Sequence, residues 1–353
     1  MTILFSILLF SIIIFTHELG HFLTAKASGV QVNEFAIFMG PAIFKKKVGE
    51  TLYSVRCIPI GGYCAMEGED EETENPRSFQ KAAWWKRLII LLAGSAMNFV
   101  TGLLIFAIVF APSQQFITPV ISEIEEGCAL AGEYGIQEGD RILEVDGEKV
   151  YVQSNFSMIL SMNPGDVHDL VLERDGQKVY LDDFHMQKRE FTDPDGTVRL
   201  RYGFSFSVEE ATFGKKIAYT WNTALDSVRM VRMGLKMLFS GNGGLSDVSG
   251  PVGIVSQMSE IADASETVGI ALLNLLYVGG FIAINLAVMN LLPIPALDGG
   301  RALCLLLTVA VEKITGKKLN SKYEGFLHGA GMILLLGLMA VIMFKDIFVL
   351  IRG

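Results

Sequence analysis

A chain of 353 residues that is 51% hydrophobic and only 19% charged, with a mean hydropathy of +0.42, is too apolar for an ordinary water-soluble domain. Its formal net charge of -9 argues against nucleic acid as a partner, because a phosphate-binding surface needs clustered and uncompensated Lys and Arg. Cys57, Cys64, Cys128 and Cys304 form no CxxC pair, which points away from zinc knuckles and redox motifs and toward structural or free thiols.

The first apolar run carries no charge up to Phe15. It has neither the basic start nor the small-residue cleavage site of a signal peptide, so it reads as a retained span over about 1–23. Further uncharged runs at 88–111, 268–292 and 329–344 predict spans, the last over about 329–351, each near the length needed to cross the hydrocarbon core as a helix. The fold class that follows is an α-helical polytopic membrane protein of about four transmembrane helices. Between the first two spans, residues 24–87 carry Lys26, Lys45, Lys46, Lys47, Arg56, Arg77, Lys81, Lys86 and Arg87. Arg301, Lys313, Lys317, Lys318 and Lys322 are grouped in the same way between the last two. Positive residues in short loops favour the cytoplasmic side, so both segments are expected there and the region between spans two and three outside. The first segment holds a strand loop at about 45–66 that contains Gly61 and Gly62, followed by an acidic run over 67–74.

Residues 118–185 alternate short apolar stretches with turn signals at Asp146-Gly147 and Asp175-Gly176, the pattern of a small β-rich module. Within it, Gly135-Ile136-Gln137-Glu138-Gly139-Asp140-Arg141-Ile142-Leu143-Glu144-Val145-Asp146-Gly147 resembles the GLxxGDxIxxVDG stretch of PDZ domains. That resemblance implies an inserted, extracytoplasmic α/β domain over about 113–190, which either captures an extended peptide by strand addition or only blocks access. The membrane domain is then split into halves at 1–112 and 254–353. The region between, 191–253, contains an expected amphipathic helix at 213–239, assigned to the membrane surface by its interspersed Lys and Arg, and a loop at 241–253.

The chemistry concentrates in His17-Glu18-Leu19-Gly20-His21. Four residues on a helix put two imidazoles on one face, where both can bind one Zn²⁺, and Glu18 is placed to act as a base toward water. Ionisable groups in an uncharged span are costly unless paired, hydrated or metal-bound. At about 1.5 Å per residue, His17 falls nearer the inner face of the bilayer. A third protein ligand is required, and Asp298, His328 and Glu312 are the candidates. Depth favours Asp298, at the inner end of the third span, where Pro293 and Pro295 break the helix; Glu312 falls in a Lys-rich loop.

HExxH in a first span, Asn290-Leu291-Leu292-Pro293-Ile294-Pro295-Ala296-Leu297-Asp298-Gly299-Gly300 in a later one, and the module between them resemble the bacterial site-2 proteases of the RseP/RasP type. Pro59-Ile60-Gly61-Gly62-Tyr63, Asn98-Phe99 and Ser249-Gly250-Pro251-Val252-Gly253-Ile254 support the likeness. The resemblance implies a multi-pass protein of the bacterial cell membrane, in contact with the lipid bilayer, whose substrates are single-span membrane proteins such as anti-sigma factors or remnant signal peptides. By it, His17, His21 and Asp298 are zinc ligands, Glu18 the general base, and Asn290 a contact to the unwound substrate backbone. Gly61 and Gly62 belong to a substrate-binding strand loop, and strand addition along residues 51–58 is expected to be blocked by proline at Ser54 or Val55. The chain departs from the pattern in carrying one such module rather than two, and Gly94-Ser95 where many relatives carry Gly-Pro. Two rival readings remain: a scaffold with a degenerate zinc site, which an intact Glu18 disfavours, and a zinc transporter, which lacks a chain of ligands through its spans.

Overall fold

The computed structural model describes residues 2–69, 73–163, 165–193, 195–240, 244, 249–316 and 321–352. Helix α1 (Thr2–Ser28) leads into strands β1 (Val32–Val48) and β2 (Thr51–Met66) and helix α2 (Trp84–Phe110). There follow β3 (Gln115–Ile124), β4 (Arg141–Val145), β5 (Glu148–Lys149), α3 (Gln153–Met162), β6 (Val167–Arg174), β7 (Gln177–His185), β8 (Arg189–Thr192), β9 (Val198–Arg201) and β10 (Phe204–Glu210). The chain continues through α4 (Phe213–Phe239), α5 (Pro251–Asp263), α6 (Val268–Asn290), α7 (Asp298–Thr315) and α8 (Ser321–Arg352). Two compact units result, Met1–Val109 with Ser227–Gly353, and Phe110–Asp226.

In the first unit, α1, α2, α6 and Gly325–Arg352 of α8 are long and apolar enough to cross a membrane. Helices suit that setting because every backbone polar group is satisfied within the segment. The hydroxyls of Ser6 and Ser11 in α1 bond back to the carbonyls of Thr2 and Ile7. Helix α1 stops where Gly29 turns left-handed and the Val30 amide reaches back to the Ala25 carbonyl. Lipid is as apolar as leucine, so burial alone does not drive these helices together; close packing does. Leu9 and Ile13 of α1 meet Ile105 of α2, Met258 of α5 and Leu275, Ile282 and Ala283 of α6 in one core. A second core joins Ala25, Val30, Val32, Phe35, Cys64 and Met66 to Ile90 and Leu91 of α2 and Ala302 and Leu305 of α7.

Helices α5 and α7 were not anticipated. The expected loop at 241–253 lies mostly outside the described residues, and its last three residues open α5. Glu312, expected in a loop, sits in α7. Both helices are amphipathic, but glycine and proline at their starts favour reading a loop, and tertiary contact adds to their definition. For α5 the contact is Asp346 of α8, buried, whose Oδ2 accepts the backbone N–H groups of Gly250 and Gly253 at 2.9 Å each. A carboxylate is favoured there by the unsatisfied donors at a helix start. Replacing Asp346 by leucine strands both donors at about 1–3 kcal/mol each. The expected result is a drop of several degrees in the melting temperature of the detergent-solubilised protein, with Asp346→Asn intermediate; an unchanged melting curve for the leucine variant refutes this role.

The hairpin of β1 and β2 is more than a two-stranded ribbon. Ala36 pairs with both Ser54 and Tyr63, while Lys45 pairs with Ser54 from the other side. Residues 52–55 therefore pair with two segments of β1 and are interior. The hairpin turn is held by Glu50, which accepts from Lys26 and Arg77 and whose carboxyl these two cations pull down to about 2.

In the second unit the six-stranded sheet runs β10-β3-β4-β6-β7, with β5 against β4. The module thus extends to residue 210, past the expected boundary at 190, because β10 pairs antiparallel with β3. The core holds Ile121, Ile136, Ile142, Val145, Phe156, Ile159, Leu170 and Leu172. Two acidic residues of the motif are structural. Asp140 is fully buried and takes two 2.7 Å hydrogen bonds from the guanidinium of Arg174. Asp146 accepts from Asn163 and from the Asp169 amide, and pairs with His168 at 2.8 Å. Burial pushes the Asp146 carboxyl up, but these partners outweigh it and hold the group below its ordinary range. A depressed folded value means that this stabilisation is complete above the ordinary Asp value near ~3.9 and is lost as pH falls through the folded one. The protection of the Asp169 amide, its exchange relative to the intrinsic rate at each pH, should be steady from neutrality down to that range and fall below it; Asp146→Asn should flatten the profile.

Candidate metal centre

Helix α1 carries His17 and His21 on one face, and the two rings meet edge to face with centroids 4.8 Å apart. The chain returns to them at Asp298, the first residue of α7. His17 Nε2 and His21 Nε2 are 3.2 Å apart, and Asp298 Oδ2 lies 3.2 Å from the first and 3.3 Å from the second. Zinc bonds of about 2.0 Å at tetrahedral angles place neighbouring ligand atoms about 3.3 Å apart, so this triangle fits that ion. Asp298 Oδ2 is buried and makes no hydrogen bond among the described residues, which leaves its charge available to a cation. Among the described residues, these three form the one group of this kind. Glu312 is not part of it.

The family model for peptidase family M50 matches residues 5–338. The chain belongs to this family. It is 35% identical to a chain of Clostridium perfringens named for a zinc metalloprotease, with 98% of each covered. A similarly named chain of Fusobacterium nucleatum is 34% identical, again over 98% of each. The regulator of sigma-W protease RasP of Bacillus subtilis is 26% identical over 98% of each chain. The protein is accordingly a zinc metalloprotease of the site-2 type.

Several features of this M50 peptidase bring the three side chains together. Helices α1 and α2 touch backbone to backbone: a Cβ added at Gly20 would lie 2.4 Å from the Ala93 carbonyl oxygen. Gly94 faces the imidazoles themselves, since a Cβ there would lie 2.4 Å from His21 Nε2 and 2.8 Å from His17 Nε2. Gly94 is common to both patterns and keeps space at the site; the departure lies at Ser95, on a helix α2 that runs unbroken. The ring of His21 is fixed from behind by a 2.8 Å hydrogen bond between Nδ1 and the Ile90 carbonyl. Such an outer contact sets the tautomer and aims Nε2 inward.

Asp298 is delivered by the loop over 291–297. Gly299 and Gly300 let that loop fold back on α7, because a Cβ at either would meet the Leu291 or Ile294 carbonyl at 2.2 Å. Ala296 adopts a φ of 81°, a costly value for an L residue, and its amide donates to His328 Nδ1 at 3.0 Å. His328, a candidate ligand by sequence, thus holds the ligand loop instead. Arg301, one turn after Asp298, reaches Glu69 at 2.5 Å and ties α7 to the end of the hairpin. Neither role carries a sequence motif; only proximity shows it.

The hairpin approaches Glu18 at Gly62, where an added Cβ would lie 3.5 Å from Glu18 Cγ and 3.0 Å from the Ala36 carbonyl. Gly61 beside it is left-handed at φ 81°. The expectation that 51–58 offers an edge to an incoming strand fails over 52–55: Ser54 and Val55 already pair on both sides, with Ala36 and Lys45, and with Ile37 and Phe44. Proline at either position would break the sheet itself. Asn290 ends α6 partly exposed, and its side chain makes no hydrogen bond among the described residues.

Proposed function

We propose that this zinc metalloprotease hydrolyses a peptide bond within or beside the transmembrane helix of a single-span membrane protein, at a site inside the bilayer and toward the cytosol. The observation that carries the reading is the triangle of His17, His21 and Asp298 on elements that include a span-length apolar helix. In this reading those three residues hold the metal. Bound zinc would supply Lewis acidity toward the scissile carbonyl and acidify water. Glu18 takes the proton of the attacking water on its carboxylate as the new C–O bond forms, and returns it to the amide nitrogen as the C–N bond breaks.

A helical peptide bond keeps its carbonyl in an internal hydrogen bond, so the substrate must unwind before attack. Asn290, with its amide unengaged, is suited to receive one freed backbone group. The backbone around Gly61 and Gly62, beside Glu18, is suited to receive others, and glycine at 62 keeps the approach open. Leucine at Gly62 should therefore raise KM for a helical substrate while zinc content stays constant; an unchanged KM argues against this contact.

The module over 113–210 is assigned as a PDZ-type domain on its sequence motif, on the outer side of a bacterial membrane, the side that the basic loops favour. Phe156 of α3 lies 5.8 Å from Phe204 and 5.5 Å from Phe206 of the edge strand β10, a disposition that favours an apolar peptide groove. A relative named as a regulator of a sigma factor favours anti-sigma proteins as substrates, with remnant signal peptides as the second class. Co-expression of the wild type and Glu18→Gln with a panel of tagged single-span proteins tests the whole reading. Fragments should appear with the wild type and vanish with the variant; equal fragments from both would rule it out.

A further inference from the structure

Asn98 lies on α2, one turn beyond Gly94, and is 1% exposed. Its Nδ2 sits 3.3 Å from His17 Nδ1, while its Oδ1 is buried and has no hydrogen-bond partner among the described residues. The chemistry of the ring decides between these two atoms. His17 Nε2 points at His21 Nε2 and Asp298 Oδ2, so the lone pair offered to a metal is on Nε2. A neutral imidazole with its lone pair there carries its proton on Nδ1. That N–H needs an acceptor, and an NH₂ group is not one. A half-turn of the carboxamide exchanges its nitrogen and oxygen. Both demands are then met at once: Nδ1–H donates to Oδ1, and the stranded oxygen gains its partner.

The second imidazole supports the same conclusion. His21 Nδ1 is already 2.8 Å from a carbonyl oxygen of the same helix, that of Ile90. One face of α2 thus offers an acceptor to each ring, a backbone oxygen for His21 and a side-chain oxygen for His17.

We propose that Asn98 is a positioning residue that holds His17 in the Nδ1–H form and aims Nε2 at the metal. The inference rests on His17 being a zinc ligand, and the test separates the two. Zinc affinity of the purified full-length protein is measured by chelator competition for the wild type, Asn98→Leu, Asn98→Asp and His17→Ala, together with the melting temperature of each metal-free form. Asn98→Leu should weaken zinc binding by about 10- to 100-fold, the range seen when outer contacts of a ligating histidine are removed, while its metal-free melting temperature stays at the wild-type value. Asn98→Asp, which keeps an acceptor and loses the donor, should stay within a few-fold of the wild type. Wild-type affinity in Asn98→Leu, or an equal loss in both Asn98 variants, overturns the proposal. Wild-type affinity in His17→Ala overturns the ligand assignment beneath it, a separate result. Nitrogen-15 spectra of histidine in the zinc-loaded wild type give an answer that needs no variant: His17 should show a protonated Nδ1, and a bare Nδ1 refutes the role of Asn98.

Discussion

Gly94→Ala is expected to cost the protein its zinc. The added methyl would stand 2.4 Å from His21 Nε2 and 2.6 Å from His17 Cε1, distances that no real Cβ tolerates. Side chains often swing away from such a clash, but these rings have little freedom. His21 is tied through Nδ1 to Ile90, and the helix that bears both rings is pressed onto α2 at Gly20 and Ala93. Relief must come from turning the Nε2 atoms off their common target or from parting the helices. Either change spoils a triangle with edges of 3.2 to 3.3 Å. The loss of zinc affinity should exceed the ~100-fold upper end for outer-contact changes, because here the ligands themselves move. Metal content after gel filtration, with chelator competition, reads the result. Full zinc occupancy in Gly94→Ala would mean that the rings point elsewhere when the metal is bound.

Glu18→Gln is expected to separate metal binding from catalysis. The amide is nearly the shape of the carboxylate but has no basic oxygen to take a proton from water. Glu18 is not one of the three atoms that converge, so zinc content should match the wild type. General acid–base groups contribute about 10²- to 10⁴-fold, and kcat on a defined single-span substrate should fall within that range. KM should change little if Glu18 acts after the substrate is seated. A variant that loses zinc along with activity would give Glu18 a structural role at the centre; one that keeps wild-type kcat would remove it from the reaction.

These expectations draw unequally on sequence and on folding. The HExxH spacing, the uncharged runs and the prolines ahead of Asp298 were legible because each is a local pattern with a physical period. Four residues make one face of a helix. About twenty apolar residues cross a bilayer. A proline breaks the helix near it. Helices α5 and α7 do carry a helical period, but it starts beside glycine and proline, which read as a loop. The hairpin was misread in part for a related reason: the alternation in 51–58 marks a strand but does not say whether its edges are taken, and over 52–55 both were.

The sequence by itself determined the membrane-spanning class and pointed to the two histidines, the adjacent glutamate and Asp298 as the favoured of three candidate partners. Those features follow from composition and from spacing along one chain. Only the tertiary structure decided that His328 holds Ala296 rather than a metal, that Gly94 is the space the imidazoles occupy, that Asp346 anchors α5, and that Asn98 stands behind His17. Each of these depends on an approach between residues far apart in the chain, and close approach is set by packing, to which no local pattern of residues gives access.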